Sequence, residues 1–108
     1  MPSRRFTIGL SASLLALSSL PALAGEAAER HAAWQGCLSR SFALQSAMTG
    51  RRLAADAALR QCRQAETAYL DALAASPLLD PEDVARARPM LLVRAREGLV
   101  ARAANPDL

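Results

Sequence analysis

The sequence predicts an all-α protein: a small bundle of three helices that follows an N-terminal signal peptide. Residues 25–108 consist mainly of Ala, Leu, Arg, Glu and Gln, which are among the strongest helix formers. No segment alternates apolar and polar residues over the length of a strand. Turn residues at positions 49–50 and 76–80 separate three helical segments, and no low-complexity linker divides them. We therefore expect a single domain over residues 25–108.

Residues 1–24 have the features of a secretory signal peptide. Arg4 and Arg5 form a basic start, residues 6–20 are uncharged and largely apolar, and the Ala-Leu-Ala tripeptide at 22–24 is a site that signal peptidase accepts. We expect cleavage after Ala24 and a periplasmic or secreted product. The Arg pair fits the general secretory route and the twin-arginine route alike, so the sequence leaves the export route open.

The first two helices are expected to form an antiparallel hairpin around Thr49-Gly50. The pattern predicts helices over residues 26–48 and 51–75, with Gly50 in the left-handed conformation that often ends a helix. Apolar or small residues recur every three or four positions and give each helix one packing face. In the first helix they are Trp34, Cys37, Leu38, Ser41, Gln45 and Met48; in the second they are Ala55, Ala58, Leu59, Cys62, Ala65, Tyr69, Ala72 and Leu73.

The third helix begins at a clear local signal. Asp80 suits the N-cap, Pro81 suits the first helical position, and the two acids that follow favour the positive end of a helix dipole. Pro89 interrupts the helical pattern, because proline lacks a backbone donor and clashes with the preceding turn. We expect a kink near Arg88, or a short helix over residues 81–88 followed by a longer one over 89–103.

Cys37 and Cys62 are the only cysteines, and they are predicted to form a disulfide. Each lies about a dozen residues from Gly50 and on the apolar face of its helix, so both meet at the same height in an antiparallel hairpin. Such a bond stabilises a small domain with a marginal core. Metal or redox use of these cysteines is the weaker alternative, since neither a Cys-x-x-Cys pair nor a set of further ligands accompanies them. Gly36, next to Cys37, is either a tolerated glycine or a point where a second helix comes close.

The charge pattern does not indicate a nucleic-acid-binding protein. The chain has 13 basic and 10 acidic residues, and removal of Arg4 and Arg5 with the signal peptide reduces the net charge from +3 to +1. The remaining arginines alternate with acids, Ala and Leu rather than forming a basic face.

Nothing in the sequence assembles a catalytic centre, so we expect no enzymatic activity, no cofactor and no metal. His31 is the only histidine, and no nucleophile or acid at a suitable spacing accompanies it. The acids at positions 80–83 are explained by helix capping alone. We interpret His31 as a residue of the solvated helix surface. Trp34 and Tyr69 are interpreted as core residues beside the third helix, with an exposed aromatic anchor for a partner as the alternative.

The sequence favours a small exported helical protein that acts through protein–protein contact, with an unknown partner or a second copy. The connector and the third helix contain more large apolar residues than one packing face of a helix needs. The candidate interaction surface consists of Leu78, Leu79, Leu92 and Val93. The alternative is weak contact with a membrane surface, made by the basic and apolar residues of the third helix.

One short segment resembles a known family. Cys62, Glu66 and Tyr69-Leu70 resemble the Cys…Tyr-x-x-Leu pattern of helical periplasmic domains of the lysozyme-inhibitor type. The chain lacks that family's additional cysteines and its late Trp-containing segment. The resemblance therefore implies no activity for this chain.

Overall fold

The computed structural model describes the backbone of residues 19–104 and the side chains of residues 25–102. These residues form four α-helices and no β-strand: α1 (Ser19–Ser46), α2 (Arg51–Gln61), α3 (Arg63–Ala74) and α4 (Pro81–Ala104). The all-helical prediction is confirmed. Residues 1–18 of the predicted signal peptide and the predicted helix stop at Asn105-Pro106 lie outside the described residues.

The first two predicted helices form the expected hairpin, but its turn differs from the prediction. The carbonyl of Gln45 accepts the N–H of Met48 at 3.0 Å, and the N–H and hydroxyl of Thr49 at 2.9 and 3.0 Å. These bonds satisfy the end of α1 without a left-handed residue. Gly50 has φ −65° and ψ 156° and is the N-cap of α2, so its predicted left-handed conformation is wrong.

The second arm of the hairpin consists of two helices rather than the single predicted helix over residues 51–75. The interruption is at Cys62, whose φ of −99° and ψ of 22° depart from helical values. Hydrogen bonds of helical spacing continue on both sides, because the N–H of Cys62 bonds to Ala58 and its carbonyl accepts the N–H of Glu66, each at 3.0 Å. The second arm is therefore locally distorted at the cross-linked cysteine and remains one arm of the bundle.

Helix α4 begins as predicted and continues through Pro89. The carboxylate of Asp80 accepts the backbone N–H of Asp83 at 2.8 Å, and the side chain of Asp83 accepts the N–H of Asp80 at 3.5 Å. This reciprocal capping fixes the helix start. The alternative of two helices divided at Pro89 is wrong, since α4 is a single helix from Pro81. The kink itself stays a prediction.

The core lies inside the hairpin and on one side of α4. Its most buried members are Trp34, Leu38, Phe42, Ala54, Ala55, Ala58, Cys62 and Leu99, each 9% exposed or less. Helix α4 packs mainly on α2 and α3 and contacts α1 only sparingly. Met48 was expected on the packing face, but it follows the end of α1 and is 76% exposed.

Candidate functional site

The predicted disulfide is present and joins the two arms of the hairpin. The sulfur atoms of Cys37 and Cys62 are bonded, and the two Cα atoms lie 5.8 Å apart. Cys62 is 1% exposed and Cys37 is half-buried. Within the described residues no cysteine is free. Both sulfur atoms are therefore part of the structural framework.

Three rings meet near the open end of the hairpin. Trp34 stacks on Tyr69 with ring centroids 5.7 Å apart, and His31 lies 4.9 Å from the ring of Tyr69. Trp34 is only 2% exposed, which agrees with the core interpretation of this residue. The ring contact of His31 was not predicted, although its position three residues before Trp34 places both on one helix face. His31 thus packs on the cluster while remaining exposed to solvent.

Arginines on α4 bind the hairpin through polar contacts that the sequence did not reveal. Arg88 donates to the carboxylate of Glu66 on α3 at 2.8 Å, and that carboxylate is 4% exposed. Arg102 donates to the hydroxyl of Ser39 on α1 at 3.2 Å. Among the described side chains, Glu66 is the buried carboxylate, and a charged hydrogen bond from another helix satisfies it.

A further ion pair joins α4 to α2. Arg96 donates to the carboxylate of Asp56 at 2.7 Å, and both side chains are about one-third exposed. This hydrogen bond lowers the pKa of Asp56, and the same carboxylate raises the pKa of Arg96. The pair is fixed in its charged form at neutral pH.

The four residues of the predicted interaction surface do not all lie on the surface. Leu78 is 90% exposed, Leu79 41% and Val93 48%, whereas Leu92 is half-buried and packs against the core cluster. Val93 lies 12 residues beyond Pro81, about 18 Å along the axis of α4. The leucine pair in the connector and Val93 are therefore separate exposed positions.

Other exposed apolar residues lie outside the four predicted positions. Met90, which is 57% exposed, lies three residues before Val93 and shares its face of α4. Leu44, Met48 and Leu53, near the turn between α1 and α2, are 72%, 76% and 65% exposed. Met90 belongs to the same apolar run of the sequence as Leu92 and Val93, whereas no sequence pattern indicated that the group near the turn is exposed.

A groove of about 240 Å³ lies between α1 and α4, where these two helices make few contacts. Buried Trp34 and Leu99 contribute to its apolar wall, and exposed His31, Arg94 and Arg102 lie around it. The indole Nε1 of Trp34 is buried and has no hydrogen-bond acceptor in the described structure. The groove therefore combines apolar surface with cationic side chains.

In the part of the chain that the structure describes, no three His, Cys, Asp or Glu side chains come together in a set that could hold a metal ion. No helix within residues 19–104 has the combination of length and apolar character needed to cross a bilayer. Comparisons of this chain with protein-family models, curated proteins and solved structures give no match. The function therefore has to be argued from the residues themselves.

Proposed function

We propose that this chain is an exported, non-enzymatic helical protein that acts by binding another protein, or a second copy of itself, through apolar side chains outside its core. The observation that carries the proposal is the exposure of Leu78, Met90 and Val93. Each is at least 48% exposed, so the fold does not use it to bury core surface. Exposed apolar groups of this size are typical of positions that become buried on association.

The proposed export is supported by the disulfide and by the features of residues 1–24. A disulfide between buried or half-buried cysteines persists in oxidising compartments such as the periplasm, and is rare in the cytosol. Arg4, Arg5 and the Ala-Leu-Ala tripeptide at 22–24 supply the corresponding targeting signal. The intact mass of the protein from its native envelope, after thiol trapping, tests this part. We expect a chain that begins at Gly25 with no trapped thiol; a full-length mass or two trapped thiols would contradict it.

Site-specific photo-crosslinking tests the proposed contact. A photoreactive residue is placed at Val93, at Leu78, or at Gln64, an exposed position on α3 that serves as the control. Crosslinking is done in the envelope of the producing cell. We expect a discrete adduct at Val93 or Leu78 and none at Gln64. An adduct of twice the chain's mass identifies a second copy, and any other discrete mass identifies a different partner.

A companion substitution checks that the adduct depends on apolar contact. Met90→Glu beside the crosslinker at Val93 should abolish the adduct, because a buried unpaired carboxylate opposes association. Gln64→Glu, which adds the same charge on α3, should leave it unchanged. The absence of adducts at both Val93 and Leu78, or equal adducts at Gln64, would contradict the proposal.

The structure gives no support to the membrane-surface alternative. Of the apolar residues it requires, Leu92 and Val100 pack against the core, and Leu99 is 4% exposed. Arg96 is paired with Asp56. Leu92, Leu99, Val100 and Arg96 are thus used within the bundle, which leaves too few exposed apolar residues on α4 for an amphipathic membrane face, so we do not carry this alternative forward. Binding to anionic vesicles at low salt by the intact protein would reopen it.

A further inference from the structure

The arginines of α4 divide into two groups by their partners. Arg86, Arg88 and Arg96 form ion pairs with Glu82, Glu66 and Asp56, at 3.4, 2.8 and 2.7 Å. Arg94 and Arg102 have no carboxylate partner among the described residues, and both line the groove between α1 and α4. The two unpaired cations of this helix therefore border the same groove.

No acidic residue lines that groove in the described part of the chain. His31 and Gln35 are the other polar side chains around it. The hydrogen bond from Arg102 to Ser39 places this guanidinium against α1 and leaves other N–H donors available, since a guanidinium has five. The groove thus offers several donors and positive charge with no competing carboxylate.

The remaining wall of the groove is apolar. Trp34 and Leu99 are almost fully buried, and Leu91 and Ala95 are half-buried. The buried Nε1–H of Trp34 has no acceptor, which is uncommon for a polar group removed from water. Because this nitrogen has almost no exposed surface, Trp34 presents apolar ring atoms to the groove rather than a free donor.

We propose that this groove binds a small organic anion with an apolar tail. Its acidic head group contacts Arg94 and Arg102, and its tail lies against Trp34, Leu91 and Leu99. The groove volume of about 240 Å³ is below the range of roughly 300–1,000 Å³ typical of drug-sized ligands, so the fitting ligand is short. This site goes beyond the proposed protein contact and does not depend on it.

Octanoate is a suitable probe, and octanol is the matched ligand without the charge. Trp34 is the only tryptophan of the chain, so its fluorescence reports on the groove wall, and titration calorimetry gives a second reading of affinity. We expect octanoate to bind about tenfold or more tightly than octanol, because charge-assisted hydrogen bonds are stronger than neutral ones. Equal affinity for the two, or no binding of octanoate in the calorimeter, would overturn the proposal.

Variants localise the binding. Arg94→Ala/Arg102→Ala should weaken octanoate binding by about tenfold or more, whereas Arg86→Ala, on the same helix but outside the groove, should not change it. Gly98→Leu should abolish binding while the helix is kept, because Gly98 lines the groove, a Cβ there meets no atom within 4 Å, and leucine favours helix. The proposal would be overturned if octanoate bound unchanged to Arg94→Ala/Arg102→Ala or to Gly98→Leu. It would also be overturned if an acidic peptide bound in the groove and octanoate did not.

Discussion

The hairpin of α1 with α2 and α3 and the helix α4 are held in the bundle by different means. The arms of the hairpin are joined by a disulfide and by a core in which Ala54, Ala55 and Ala58 are fully buried. Among the described side chains of α4, Val84 and Leu99 are buried and Leu92, Ala95 and Val100 pack partly buried against the core, while arginine side chains supply polar contacts to each of the other helices. The comparison teaches that α4 is attached without a covalent link, by partly buried apolar side chains together with charged hydrogen bonds.

Removal of the disulfide should have the largest effect. Cys37→Ala/Cys62→Ala is expected to reduce the free energy of unfolding by about 3 to 4 kcal/mol, because a closed loop of this length restricts the unfolded chain. Urea unfolding followed by circular dichroism measures the loss, and reduction of the unaltered protein provides the control. An unchanged urea midpoint in both would mean that packing alone holds the hairpin.

Breaking the contact between α3 and α4 should have the next largest effect. Arg88→Met leaves the buried carboxylate of Glu66 without a partner, and we expect a loss of about 2 kcal/mol, since Arg88 itself is partly exposed. The double variant Arg88→Met/Glu66→Leu should recover most of this loss. Arg86→Met, which breaks an exposed pair on the same helix, should cost less than about 0.5 kcal/mol. Urea unfolding checks all three, and equal losses for Arg88→Met and Arg86→Met would contradict the proposed role of Glu66.

Replacing a glycine within a helix should have a smaller effect, and it should increase the stability rather than reduce it. The hairpin and α4 each offer one such position. Gly36→Ala in α1 and Gly98→Ala in α4 should each increase stability by about 0.5 to 1 kcal/mol, because alanine favours helix. A Cβ at Gly36 would meet only an Arg40 side-chain nitrogen, at 3.3 Å, and one at Gly98 would meet nothing within 4 Å. Thermal unfolding measures both gains. No second helix comes within 4 Å of a Cβ at Gly36, so the close approach that the sequence had suggested as an alternative is wrong; destabilisation by Gly36→Ala would mean that the Arg40 side chain cannot move aside.

The smallest effect should come from Asp56, and it should depend on pH. The hydrogen bond from Arg96 lowers the pKa of Asp56 in the folded state, so the pair stabilises the fold above the ordinary carboxyl pKa. This contribution is lost as the pH falls through the lowered value. Asp56→Asn should therefore be less stable than the unaltered protein at neutral pH and equal to it in acid, as urea unfolding at the two pH values would measure. A pH-independent difference for Asp56→Asn would contradict the ion pair.

The hairpin could be predicted from the sequence because its determinants are local or symmetric. The distances of Cys37 and Cys62 from the turn, and the phase of each on its helix, indicated the pairing, and the start of α4 followed from the capping residues at Asp80 and Pro81. The break at Cys62 could not be predicted, since neither glycine nor proline marks it. The predicted left-handed conformation of Gly50 was wrong because the hydroxyl of Thr49 donates to the carbonyl of Gln45 and so satisfies the end of α1.

The contacts of α4 could not be predicted for a different reason. The pairs of Arg88, Arg96 and Arg102 span 22, 40 and 63 residues, and a helix pattern does not specify which distant side chain an arginine meets. The groove depends on the same long-range arrangement, since it exists only where α4 lies beside α1. Leu92 was placed on the surface from its position in an apolar run, but the rotation of α4 directs it towards the core.

Amide hydrogen exchange, resolved by helix, is the measurement that separates the two modes of attachment. We expect the amides of α4 to open with a lower free energy than those of α1 and α2, because α4 buries fewer apolar side chains and has no covalent link. Arg88→Met should accelerate exchange in α4. Its cost of about 2 kcal/mol also lowers the protection of amides in α1 and α2 that exchange only by global unfolding, so the difference between α4 and the hairpin should remain. Equal protection of α4 and the hairpin, in the unaltered protein and in Arg88→Met, would show that the bundle is one cooperative unit and that α4 does not open separately.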